Sequence, residues 1–400
     1  MRLTIKNFRS IREQDVELAP ITVVYGPNGS GKSSLLYALL TLKNIGLNPN
    51  QPPAGFFNYG FASLGGFESV VFDHQTERSV ALGLTLERDG RELSYKVAIG
   101  ENAGDFALSL EKSGEIDIKL NLPVPFPYPA NQQAQASVAS DYGSLGVIWN
   151  GITAQVQAEQ PSQEAQERAN KLATYLNELI ETVRKVSFVP LKRGFSKPQF
   201  STVSISPMIT TEDEIASFIS NNNKYLVPKI SLYLEKILER DLRVNFTPGT
   251  AIFSLDATDR NSGVASELVN EGFGVNQIVY ILAKCLHHDA GWVCIEEPEI
   301  HLHPTAVRNL ARALAQIVRE EEKQFIISTH SESFLLALLA LVDEGEIRPA
   351  ELACYLAHKE KRVTRFERQA VNEKGQIEGG LTTFIEGELE DIRAFMKVTN

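Results

Sequence analysis

The chain has 400 residues, a net charge of −11 at neutral pH, 43% hydrophobic and 22% charged residues, and 27 glycines with 18 prolines. These values exclude a disulfide- or metal-stapled miniprotein, a collagen, a coiled-coil rod and wholesale disorder, and they leave room for one large domain or two ordinary ones. The acidic balance argues against a protein coated in nucleic acid, while a local basic patch for phosphates stays open.

In chain order, residues 1–45 read as strand, turn, strand, glycine loop and helix. LTIKNF alternates, Pro20 punctuates, ITVVY is a short β-rich run, and residues 33–43 have the apolar density of a buried helix. Between residues 69 and 122, period-two runs broken by RDG, ENAG and SGE predict an antiparallel meander. Pro123, Pro125, Pro127 and Pro129 follow, then a Gln- and Ala-rich stretch to about Gln166, with no Lys or Arg between Lys119 and Arg168. This segment reads as a solvated loop or flexible insertion. Helical periodicity over 165–186 and 212–239, without sustained heptads, predicts a short helical arm. From Leu242 onward, β-rich runs such as AIFSLD, WVCI and FIIS alternate with helices, which implies a parallel sheet covered on both faces. The stretch LACYLAHKEKRVTRFERQAV reads as a hairpin turning at residues 359–361.

The longest apolar run, Phe334 to Val342, falls well short of the roughly 20 residues of a membrane helix. The opening MRLTIKNFRS contains no apolar stretch of a signal peptide. A soluble, cytoplasmic protein without a membrane partner is expected. Cys285, Cys294 and Cys354 each lie in an apolar stretch and are expected to be buried, reduced thiols.

Four short segments carry chemistry. Residues 26–33, GPNGSGKS, fit G-x-x-x-x-G-K-[ST] between strand ITVVY and helix SSLLYALL, the context in which backbone N–H groups converge on phosphate at a helix N-terminus. Gly26, Asn28, Gly29, Ser30 and Gly31 form the loop; Lys32 would pair with the β- and γ-phosphates, Ser33 would ligate Mg²⁺ and Ser34 would reach the α-phosphate. In the second segment, WVCIEEP, an apolar strand delivers two carboxylates to its C-terminal end, where parallel sheets bind ligands. Glu296 would hold Mg²⁺ through water, and Glu297 would orient or deprotonate the attacking water; adjacent glutamates that merely end a strand are the plainer alternative. The third, FIISTH, ends a strand on His330, placed to hydrogen-bond a γ-phosphate or the water. The fourth, NEGFGVNQ, puts Gly272, Gly274, Asn276 and Gln277 at the start of an apolar helix, a second anion-binding N-terminus.

These four elements, with the opening LTIKNFRSI, the segment EEPEIHLHP and the segment STHSESFL, resemble the ABC-type ATPase heads of the SMC, RecF and overcoming-lysogenization-defect (OLD) lineage, and among them the stand-alone RecF-like AAA-family ATPases. The resemblance covers about residues 1–45 and 265–340. It implies an α/β P-loop NTPase fold, a bilobed ABC-ATPase head with an antiparallel β-meander and a short helical insertion. It also implies ATP and Mg²⁺ as cofactors and an ATP-dependent homodimer in which one subunit's P-loop faces the other's signature helix. The setting it suggests is DNA maintenance or defence against mobile elements, including phage, with a separate effector partner. On this basis, residues 1–122 form the first ATPase lobe and 123–240 the flexible segment and helical insertion. Residues 241–358 form the second lobe, and 359–400 a hairpin and tail. The signature reads GFGVNQ in place of LSGGQ, and Glu296 replaces the usual Asp.

Two other readings of the chain are an ATP-sensing scaffold that does not hydrolyse and, less well fitted, a transporter's nucleotide-binding subunit. The pair His301 and His303 suggests zinc but is accounted for as loop residues of the same segment. Residues 384–388, FIEGE, look like the start of a Toprim nuclease domain, and with 12 residues after Glu388 a built-in Toprim domain is not expected. Arg184, Lys185, Lys192, Arg193 and Lys197, with no Asp or Glu between Glu181 and Glu212, form the candidate DNA or acidic-partner contact, with a solvated face or intramolecular pairing as the equal alternative.

Overall fold

The computed structural model describes residues 1–112, 115–129, 131–140, 143–159 and 162–378. The chain divides into two compact units, one of residues 1–18, 34–186 and 359–365, the other of residues 19–33, 187–358 and 366–400.

The first unit carries the expected meander. Its six-stranded antiparallel sheet runs, in spatial order, Ile11–Glu17, Arg2–Phe8, Val80–Arg88, Arg91–Ile99, Ala103–Lys112 and Glu115–Pro125. Alternation buries one face, with Leu93, Tyr95, Val97 and Ile99 on one strand opposite Phe106, Leu108 and Leu110 on the next. The Gln/Ala-rich stretch departs from the sequence expectation. It forms a three-stranded antiparallel sheet of Ala134–Ser140, Gly143–Trp149 and Ala154–Ala158. Its middle strand buries Leu145, Val147 and Trp149. Helix Gln163–Arg184, N-capped by Ser162 and buried along Ala165, Ala169, Leu176, Leu179, Ile180 and Val183, packs on it. The Asn177 amide fastens helix to sheet by exchanging 2.8 Å hydrogen bonds with the backbone of Ala154.

The second unit holds most of a sheet in the order Val186–Val189, Trp292–Glu296, Gln324–Thr329, Ile21–Tyr25, Leu352–Glu360 and Val363–Gln369. Four neighbouring strands, from Trp292–Glu296 to Leu352–Glu360, are parallel. Ile21–Tyr25 and Trp292–Glu296 are buried at every residue, which is why ITVVY and WVCI are near-continuous apolar runs, broken only by Thr22, rather than alternating ones. Helices Phe273–Cys285, Pro304–Glu321 and Glu332–Asp343 belong to the same unit and share its core. Glu212–Asn221 and Leu226–Leu238 are the expected helices of the 212–239 segment; the first is closed by a Thr211/Glu214 capping box. A smaller antiparallel sheet pairs Phe200–Ser201, Arg240–Phe246 and Ala265–Glu267 with Ile252–Asp259. The three cysteines are buried thiols outside any disulfide. Among the described residues no helix is long and apolar enough to cross a membrane, and residues 384–388 lie outside them.

Candidate active site

The register of the parallel sheet brings three of the four segments to one edge. Glu296 pairs opposite Ser328, Ser328 opposite Val24 and Thr329 opposite Tyr25, so the strands end side by side at Glu296-Glu297, Thr329-His330 and Tyr25-Gly26. All three exits lie at the carboxyl ends of parallel strands, where such sheets bind ligands.

The loop that leaves Tyr25 holds Gly26, Gly29 and Gly31 at φ of 144°, 78° and 96°, values that favour glycine. Asn28 and Gly29 are exposed and Ser30 is buried. Gly26 has no space for a side chain, since a Cβ there would lie 2.3 Å from the carbonyl oxygen of Ala357 on the adjacent strand. Gly29 has nothing within 4 Å of that position. Lys32 opens helix Lys32–Leu47, whose first turn carries no acidic residue. Its ammonium donates across the loop to the carbonyls of Gly26 (2.9 Å) and Pro27 (3.1 Å). Burial lowers its pKa, and the nearby carboxylates of Glu297 and Glu299 partly counter that. Ser33 and Ser34 follow in the first turn, half-buried and buried respectively.

Glu297 extends the strand pairing by one bond, donating its N–H to Ser328 O at 2.8 Å, and then turns the chain with φ of 41°, rare for a residue with a Cβ. Its Oε2 lies 3.2 Å from His330 Nδ1. The same imidazole nitrogen is 3.5 Å from Glu299 Oε1. Glu299 is buried and also accepts from the Thr329 hydroxyl (2.6 Å) and the His330 N–H (3.2 Å). His330 thus sits between two carboxylates with its ring half-exposed, which suits an imidazole that hands a hydrogen bond to a group outside the protein. Glu299 carried no distinct signal in the sequence, where it is the third glutamate of EEPE.

Glu296 is buried, and its Oε2 accepts from Leu191 N at 3.3 Å. Two further buried oxygens at this edge, Ser328 Oγ and Glu299 Oε2, have no protein partner. Unspent polar capacity beside a buried carboxylate fits a hydrated hard cation, whose ligands are oxygens.

The basic cluster is only partly a surface feature. Arg193 is not available as a surface contact: its guanidinium turns inward and donates to Glu296 O (2.6 Å), Glu297 O (2.7 Å) and Pro190 O (3.1 Å). Burial pushes its pKa down to about 10, against the pull of Glu299, Glu296 and Glu297, so it stays a cation at neutral pH. Arg184 pairs with Glu181 at 2.5 Å and Lys197 with Asp213 at 2.6 Å, while Lys185 and Lys192 are exposed.

The fourth segment forms its own cluster. Gly272 is the exposed N-cap of helix Phe273–Cys285 and has open space around it. A Cβ on Gly274 would lie 3.2 Å from Leu302 and 3.4 Å from His301 O, so this glycine lets the helix start approach the segment after Glu297. Phe273 is 73% exposed, its ring 5.3 Å from that of His301. Asn276 and Gln277 are buried. The Asn276 amide is engaged within the chain, accepting from Phe195 N (2.7 Å) and donating to Phe195 O (2.8 Å) and Leu268 O (3.0 Å). His303 caps helix Pro304–Glu321 by accepting from Thr305 N.

The AAA ATPase domain family matches residues 1–124 and 130–335. The OLD nuclease of Thermus scotoductus is 24% identical over 350 residues, 83% of this chain and 59% of that protein. The DNA replication and repair protein RecF of Chloroflexus aggregans is 51% identical over 41 residues, 10% of each chain. The chain therefore spans about three-fifths of the length of the OLD nuclease and a tenth of RecF. Among solved structures, the SMC head domain from Thermotoga maritima aligns over 92% of this chain and 97% of its own, at 11% identity and a TM-score of 0.42. An Smc head bound to the C-winged helix domain of ScpA aligns over 93% and 98%, at 12% identity and a TM-score of 0.47.

Proposed function

We infer that this chain, a member of the AAA ATPase domain family, works as an OLD- and RecF-like ATP hydrolase. From that premise we propose that it is a Mg²⁺-dependent, nucleotide-driven homodimerisation switch, acting in DNA maintenance or defence against mobile elements and passing its state to a separate effector protein. The observation that carries the reading is the register that aligns Gly26, Glu296-Glu297 and His330 at one sheet edge.

In this reading the loop from Gly26 to Ser34 holds the triphosphate, and Ser33 with Glu296 holds the metal. ATP supplies the γ-phosphoryl group, and Mg²⁺ the positive charge that neutralises its oxygens. Glu297 orients the water and accepts its proton, and His330, steadied by Glu297 and Glu299, donates to the phosphoryl oxygen or the water. Buried Lys32 and half-buried Ser33 suit a cradle that excludes bulk solvent. The dimer is supported by the signature helix start, where Gly272 is open and an aromatic ring, Phe273, stands 73% exposed. The nuclease activity for which the Thermus relative is named is assigned to no residue of this chain.

The test is the solution mass of Glu297→Gln by light scattering, with and without ATP and Mg²⁺, beside Lys32→Ala. A monomer that doubles with ATP only while Lys32 is present supports the switch. A mass indifferent to ATP in both variants refutes it.

A further inference from the structure

Residues 190–195 touch two parts of the site that lie about a hundred and about eighty positions further along the chain. On one side, the Arg193 guanidinium bridges two successive carbonyls, Glu296 O and Glu297 O, while Leu191 N reaches the Glu296 carboxylate. On the other, Gly194 and Phe195 lie against the signature helix. A Cβ on Gly194, where φ is 116°, would meet Asn276 Oδ1 at 2.6 Å, and Phe195 exchanges both of its backbone hydrogen bonds with the Asn276 amide.

In a β-strand, successive carbonyls point to opposite sides. One guanidinium can donate to both neighbours only if the chain leaves strand geometry between them, and Glu297 at φ 41° is that departure. A left-handed glutamate is unfavourable in isolation and persists where its surroundings over-determine it. A part-buried, charged fork with two parallel donors supplies that determination, because it holds the peptide on either side of the Glu297 Cα in one orientation.

We propose that Arg193 is a positioning residue for the ATPase reaction: it fixes the backbone that aims the Glu297 carboxylate, and the Gly194-Phe195 turn ties this clamp to the signature helix through Asn276. The inference rests on the reading of Glu297 as the carboxylate that handles the attacking water. It gives the inserted segment between the meander and the second half of the sheet a part in turnover. Movement of the signature helix start would reach the Glu297 backbone through six residues.

Steady-state phosphate release by the full chain tests this, using Arg193→Ala, Arg193→Lys and, in the same assay, Glu297→Gln. Arg193→Ala is expected to lower kcat on the order of 10²-fold while KM for ATP moves by less than about threefold, the pattern of a misaimed group rather than a lost binding contact. Lysine at 193 should not restore kcat, since one ammonium does not reproduce a planar fork. Millimolar guanidinium ion should partly restore the Ala variant and leave the parent unchanged. If Arg193→Ala does not fold by thermal melting, the Lys variant carries the test: the same kcat loss at unchanged KM supports the clamp, and parental kcat overturns it. A kcat for Arg193→Ala within about threefold of the parent, or a loss that guanidinium does not relieve and that KM follows in parallel, also overturns it. Parental turnover by Glu297→Gln overturns the underlying assignment and the clamp with it, whereas an inert Glu297→Gln beside an active Arg193→Ala overturns the clamp alone.

Discussion

Alanine at Gly26 and alanine at Gly29 make the same chemical change three residues of loop apart, yet the structure assigns them different costs. At Gly26 the new Cβ would lie 2.3 Å from Ala357 O, when real Cβ contacts essentially never fall below 3.0 Å, and φ is 144°. The strained dihedral costs ~1–3 kcal/mol. Relieving the overlap adds ~1–3 kcal/mol, because Leu352–Glu360 is held by strands on both sides and does not give. At Gly29 the φ of 78° costs ~1–2 kcal/mol and no atom lies within 4 Å, so no steric cost is added. With roughly 2–4 °C of melting temperature per kcal/mol for a unit of this size, Gly26→Ala should lower Tm by about 10 °C and Gly29→Ala by about 4 °C. Calorimetry without nucleotide is the assay, since bound ATP would add its own stabilisation by mass action. Equal shifts, or a larger one for Gly29→Ala, would refute the argument that Ala357 defines the first glycine of the loop.

Two further expectations concern buried carboxylates. Replacing Glu299 by alanine removes the acceptor for the Thr329 hydroxyl and the His330 N–H, and should cost ~2–4 kcal/mol in urea denaturation; Glu299→Gln keeps an acceptor oxygen and should lose less, and an Ala variant as stable as the parent would contradict this. Glu214 is pushed up by burial, but hydrogen bonds from Ser206, Thr210 and Thr211 prevail and hold its pKa down to about 2. A depressed carboxylate contributes in full above the ordinary glutamate pKa of 4.5 and loses that contribution as pH falls toward 2. The Tm gap between parent and Glu214→Gln should therefore be constant from pH 5 to 7 and narrow below pH 4; a gap that widens on acidification would reverse the sign.

What was legible in the sequence was whatever a contiguous run could carry. The loop after ITVVY and the carboxylates after WVCI each announce themselves through spacing and a flanking apolar strand, and the parallel sheet follows from those strands alternating with helices. The strands over 134–158 were not legible. Ala134, Ala136 and Val138 are only half-buried, and the intervening Gln135, Ser137 and Ala139 are exposed, so no strong alternation of size or polarity marks them. The sequence does not single out Arg193 among the five neighbouring cations, because its partners are carbonyl oxygens 103 and 104 positions away, and backbone acceptors leave no trace in residue type. Glu299 was missed for a related reason: its distinguishing property is burial against Thr329, set by the helix between the two strands.

The central strand Ile21–Tyr25 also imposes a schedule on synthesis. Its two neighbours in the sheet are Gln324–Thr329 and Leu352–Glu360, so some 300 residues must leave the ribosome before either edge of ITVVY is paired. At roughly 5–20 residues per second that is a wait of about 15–60 s. Throughout it, five consecutive residues destined for complete burial remain a short apolar segment with open edges, the kind that chaperones hold and that neighbouring nascent chains can capture. The nucleotide loop attached to that strand cannot take its final form earlier, so ATP cannot help to fold the chain before those partner strands have been made.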